Sequence, residues 1–90
     1  MNEPAHVREY LRQVLALAPR AEQGERRAMP EHIVFEGVRR LCRETLRVDE
    51  FLKATQWNEA RGYIVRSFDD VADSDAFALT PAGLEKEGVR

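Results

Sequence analysis

Residues 60–88 read ARGYIVRSFDDVADSDAFALTPAGLEKEG, and the order of residue types in this stretch decides the architecture. Gly62 stands where a preceding helix can close on a left-handed residue. "YIVRSF" and "FALT" are rich in the β-branched and aromatic side chains that suit strands, and the aspartate-rich "DDVADSDA" between them suits a turn. Thr80 can then cap a last helix, with Pro81 at its first position and Gly88 beyond its end. The expectation is therefore the end of a helix, a hairpin near 63–68 and 77–80, and a short terminal helix.

Upstream, the apolar spacing is helical. In "NEPAHVREYLRQVLALA" (2–18), Val7, Leu11, Val14, Leu15 and Ala18 form one stripe of an amphipathic helix. Asn2 is its expected cap, and Pro4 is tolerated in its first turn. "PRAEQGERRAM" (19–29) has a proline, a glycine and charges but no apolar period, so it is expected to be a flexible loop. Pro30 favours a helix start, and Val34, Val38, Leu41, Cys42 and Thr45 extend a second helix over about 30–46. Gly37 within it either weakens the helix or lets a neighbour approach closely. A third helix is expected over about 48–61, with Val48, Phe51, Leu52 and Thr55 on one stripe. Trp57 falls nearly opposite Leu52 at 100° per residue, so one of them is partly exposed unless the hairpin covers the second side. The expected core is Val7, Leu11, Val14, Leu15, Val34, Val38, Leu41, Cys42, Phe51, Ile64 and Leu79. Residues 1–90 are read as one domain, mainly α with a small antiparallel β-hairpin.

Composition limits the function classes. Hydrophobic residues make up 43% of the chain and charged residues 33%, the balance of an ordinary soluble domain. No stretch resembles a signal peptide or a membrane span, and the single cysteine excludes an internal disulfide, so a cytoplasmic location is expected. His6 and His32 are far apart without ligand-like neighbours, so no metal site is expected. "DDVADSD" lacks the glycine and distal glutamate of a calcium loop. No nucleophile–base arrangement, carboxylate pair or glycine-rich phosphate loop occurs. The chain is expected to be non-enzymatic, with no catalytic residue and no cofactor.

Charge is unevenly distributed. Residues 67–76 carry −4, while the rest of the chain carries +2, to give the net −2. Arginine is by far the commoner base, and its guanidinium pairs with phosphates and carboxylates alike. Arg39, Arg43 and Arg47 recur every four residues and would form a basic stripe on the second helix. The same residues also fit a solvated helix face supported by Glu36–Arg40 and Arg40–Glu44 pairs.

The helix ending in "EARGYIV", the hairpin, and "FALTPAGLEKEG" together resemble the end of many winged-helix proteins. "DEFLKATQWNEARGYI" also looks like the small YjcQ-like family of bacterial and prophage winged-helix proteins. The matching residues are Asp49, Phe51, Ala54, Trp57, Gly62, Tyr63, Ile64, Leu79, Thr80 and Gly83, about the C-terminal half. The resemblance implies a winged helix-turn-helix of three helices, a two-stranded wing and a short C-terminal helix. It also implies that the third helix enters the major groove while the wing touches the DNA backbone. On that helix Asp49, Leu52, Lys53, Gln56, Glu59 and Ala60 would face outward, and only Lys53 and Gln56 suit bases or phosphates. In the wing, Asp69, Asp70, Asp73 and Asp75 stand where bases are expected, which removes the main source of DNA affinity. Two readings stay open. One is a DNA-binding regulator or prophage accessory protein. The other is a winged helix used for protein contact, with Trp57 as an anchor if exposed, or for homodimerisation through the arginine-rich helix and the acidic wing.

Overall fold

The computed structural model describes residues 1–19 and 27–88. Among them the elements follow as α1 (Pro4–Ala16), β1 (Met29–Pro30), α2 (Glu31–Leu41), α3 (Val48–Ala60), β2 (Ile64–Asp69), β3 (Ser74–Leu79) and α4 (Pro81–Lys86). The fold is mainly helical, with a small antiparallel sheet in the order β1-β3-β2.

Helix α1 buries Val7, Leu11, Val14 and Leu15 of the stripe read from its sequence, and Ala18, also buried, lies just past its end. Its start differs from expectation. Glu3, not Asn2, is the N-cap, and it makes no side-chain capping bond. Asn2 is used elsewhere: its Nδ2 donates to the Thr45 carbonyl at 3.2 Å, and its backbone N–H donates to Glu50 Oε2 at 3.1 Å. It thus ties the beginning of α1 to the segment that leads into α3.

That tie explains the largest correction. The second helix stops at Leu41 rather than running to about 46. Nothing in "LCRETLRV" breaks a helix, so the cause is tertiary. Leu46 is buried in the core, Asn2 captures the carbonyls of Glu44 and Thr45, and Glu50 Oε1 accepts the Arg47 backbone N–H at 3.0 Å. The last contact is half of a capping box, since arginine has no acceptor to complete it. These anchors outweigh a helix propensity that differs by only tenths of a kcal/mol per residue. Leu41 is consequently 43% exposed, and Cys42, expected in the core, is only partly buried against it. We expect Leu41→Ala to cost less than about 1 kcal/mol and Leu46→Ala about 2–5 kcal/mol in urea denaturation. Equal losses would mean that the chain leaves α2 in a different register.

Gly37 is required for space: a side chain there would meet Val14 Cγ1 at 2.8 Å, so α1 and α2 pack closely at this point. Gly62 ends α3 with a φ of 75°, the left-handed geometry that glycine adopts without strain. Phe51 is fully buried with the Phe35 ring edge-on at 5.2 Å. On the same helix Val48 is exposed, contrary to its expected place on the apolar stripe. Thr80 caps α4 as expected, its hydroxyl accepting the Gly83 N–H at 3.1 Å.

The sheet also departs from expectation. Strands β2 and β3 run further into the aspartate-rich segment, with Phe68 opposite Asp75 and Asp69 opposite Ser74. A third strand joins them, because Met29 and Pro30 pair with Phe77 and Ala76. Pro30 fits there because an edge strand can leave one N–H position unpaired. Met29 therefore lies in a strand, not in a loop over 19–29. Residues 20–26 of that expected loop lie outside the described residues. Phe77, missing from the expected core, is fully buried behind β3.

Candidate functional site

Helix α3 presents Asp49, Lys53, Gln56 and Ala60 to solvent, and Leu52 is also exposed. At 100° per residue the first four share one face, opposite buried Phe51, Thr55 and Asn58. The expected outward face is therefore present, except that Glu59 is partly covered.

The covering of Glu59 comes from β2. Arg66 Nη2 donates to Glu59 Oε1 at 2.6 Å and Nη1 donates to Asp75 Oδ2 at 2.7 Å, with the guanidinium 5.1 Å from the Phe77 ring centroid. The Glu59 hydrogen bond is the main reason that Arg66 holds its proton even more tightly than usual. Arg47 Nε lies 3.2 Å from Asp49 Oδ1. Each acid that was expected to repel phosphate beside α3 thus has a guanidinium partner.

The hairpin aspartates have distinct structural tasks. Asp69 Oδ1 accepts the N–H groups of Val71 and Ala72 at 2.9 and 3.0 Å, a side-chain-stabilised turn. Asp73 takes a positive φ of 53°, which Asp tolerates better than most residues. Asp75 is the partner of Arg66, and Asp70 is exposed. Only Asp70 and Asp73 lack an ion-pair or hydrogen-bond partner among the described residues.

The arginine stripe does not exist as one surface. Arg39 lies on α2 and is paired with Glu36, which pulls the Glu36 carboxyl below its ordinary range. Arg43 and Arg47 lie past the end of α2, Arg43 beside a cleft with His6, Tyr10 and Glu44. Early termination of α2 removes the i, i+4 geometry that the stripe needed, and the Arg40–Glu44 pair with it. The Arg40–Glu36 approach remains, at 3.7 Å.

Trp57 is half-buried. The Arg8 and Arg61 guanidinium carbons lie over its ring, 4.7 and 4.6 Å from the centroid, with the Tyr63 ring 6.1 Å away. Arginine over an indole face is a favourable cation–π geometry. Arg8 also shares a cleft with Lys53, lined further by Asp49 and Glu50. Among the described residues Arg8, Lys53 and Arg61 form no ion pair. They make a cationic margin along the α1 side of α3. Arg61 was within reach of sequence reasoning, since it stands four residues after Trp57 on a helix face. Arg8 was not, because only the packing of α1 on α3 brings it there.

Behind this margin lies Arg12, which is buried. It donates from Nε to Glu87 Oε2 at 3.0 Å and from Nη1 to Asn58 Oδ1 at 2.9 Å. Asn58 in turn donates to the Ala54 carbonyl at 2.9 Å. Arg12 thus joins α1, α3 and the end of α4, and its charge is spent inside the protein. Burial pushes the Cys42 thiol above its ordinary pKa, as fits a packing role. Among the described residues no helix is long and apolar enough to cross a membrane, and no metal-holding group of His, Cys, Asp or Glu forms. Comparison of the chain with protein-family models, curated proteins and solved structures gives no match.

Proposed function

We propose that the chain is a non-enzymatic winged-helix binding module that contacts the DNA backbone along α3 and its α1 margin. The element order and the β1-β3-β2 sheet support the winged-helix reading, with α3 as the recognition helix and β2–β3 as the wing. The observation that carries the functional reading is the split in charge pairing. Asp49 is paired with Arg47, and Glu59 and Asp75 share Arg66, whereas Arg8, Lys53 and Arg61 form no ion pair among the described residues. Gln56 between them is the residue suited to a base edge. The unpaired Asp70 and Asp73 oppose contact through the tip of the wing, so the footprint is α3 with its α1 side.

Three phosphate contacts imply weak binding, with log K falling against log salt at a slope of about −2.7. Fluorescence anisotropy with duplex DNA across a salt series measures this. We expect the Lys53→Ala/Arg61→Ala double variant to flatten the slope by about two contacts' worth. Asp70→Asn/Asp73→Asn is expected to change affinity little, because those groups stand away from the footprint. No binding at low salt, or a slope indifferent to Lys53 and Arg61, would overturn the reading. Protein contact is the second reading, and Phe68 and Val71, both exposed at the end of the hairpin, favour it.

A further inference from the structure

Lys53, Trp57 and the C-cap Arg61 follow one another four residues apart on α3, which sets them in a row at intervals of about 6 Å along the helix axis. Arg8 reaches the same row from α1, its guanidinium 4.7 Å from the indole centroid. Arg8 and Arg61 thus rest on an aromatic ring rather than on a carboxylate. Beside that ring lie the Tyr63 ring, at 6.1 Å, and the buried Arg12 guanidinium, at 6.0 Å. Tyr63 is held at both backbone groups: its N–H donates to the Asn58 carbonyl and its carbonyl accepts the Thr80 N–H, each at 3.0 Å. Asn58 is fixed in turn by Arg12. The result is an anchored aromatic pair set within a row of cations.

Such a row suits one strand better than two. A duplex with α3 in its major groove brings the wing towards its backbone, where Asp70 and Asp73 have no partner among the described residues and repel phosphate. A single strand needs only cations along its backbone and an aromatic ring on which a base can lie. Stacking of a base on such a ring is worth more than an exposed cation–π contact. A base that displaces a guanidinium from Trp57 therefore gains free energy, and the displaced guanidinium turns to the phosphate beside it.

We infer that the DNA taken by this margin is single-stranded: a base stacks on Trp57, with Tyr63 beside it, while Arg8, Lys53 and Arg61 hold the phosphates. The inference rests on the DNA-backbone reading of the same margin and narrows it to unpaired DNA. Base identity matters little to such a site, because every base has a π face. Three phosphate contacts on a single strand give a salt slope of about −2.1, shallower than the duplex value.

Anisotropy and tryptophan emission on three probes test it: oligothymidylate, the same strand annealed to oligoadenylate, and an abasic deoxyribose-phosphate strand of equal length. Trp57 is the sole tryptophan of the chain, so its emission reports this site. Oligothymidylate is expected to bind about tenfold or more tighter than either other probe and to quench Trp57. Trp57→Phe should keep most of that preference and Trp57→Leu should abolish it, with duplex affinity unchanged in both. The abasic comparison uses the wild-type chain, so it decides the matter even if Trp57→Leu fails to fold. Equal affinity for oligothymidylate and the abasic strand, tighter binding of the duplex, or unquenched Trp57 emission overturns this inference and leaves the backbone reading standing. No binding of any probe at low salt overturns both.

Discussion

Replacing Arg12 with alanine is expected to cost about 3–5 kcal/mol of stability, an effect that its position on a surface helix does not suggest. Its side chain and that of Glu87 are 8% and 11% exposed, so the ion pair they form is largely desolvated. Removal of the guanidinium strands a buried carboxylate and takes the donor from Asn58 Oδ1, and unpaired buried groups cost far more than a lost surface contact. Urea denaturation gives the magnitude. The double variant Arg12→Met/Glu87→Leu is expected to be less damaged than Arg12→Met alone, because no lone carboxylate then remains inside. If Arg12→Met loses less than about 1 kcal/mol, Glu87 must escape to solvent and the ion pair does not hold α4 in place.

Phe51→Ala is the second large effect, at about 3–5 kcal/mol. Phe51 is 1% exposed, lies edge-on to Phe35 and packs within the central cluster with Val34, Val38 and Phe77. Its removal leaves a cavity that the packed α1, α2 and β3 cannot close. Val48→Ala, one turn earlier on α3, is the control. Val48 is exposed, so its loss should stay within about 0.5 kcal/mol. Comparable losses would rotate α3 and turn Lys53 and Gln56 away from solvent, which would also remove the basis of the proposed DNA contact.

For the candidate interface, local pattern took the reading part of the way. Lys53 and Gln56 were legible as outward because helical geometry places them opposite Phe51. The Arg39, Arg43 and Arg47 stripe failed because it assumed a continuous helix, and a helix can be ended by contacts made far away in the sequence. The four aspartates looked like one electrostatic unit in the sequence. In the fold, Asp69 supports a turn, Asp73 accommodates a positive φ, and Asp75 answers Arg66. A count of charges could not separate those tasks.

By itself, the sequence determined the α1 stripe, the start and end of α3, the glycine at 62, the hairpin and the Thr80 cap. All of these depend on residues within a few positions of one another, where backbone geometry and hydrogen bonding are local. The end of α2 at Leu41, the third strand at Met29–Pro30, the burial of Leu46 and the Arg12–Asn58–Glu87 network were decided only by tertiary structure. Asn2 and Thr45, Met29 and Phe77, and Arg12 and Glu87 meet across dozens of residues. The free energy of such contacts comes from burial and from satisfying polar groups that the chain has already removed from water, so it appears only once the helices have packed.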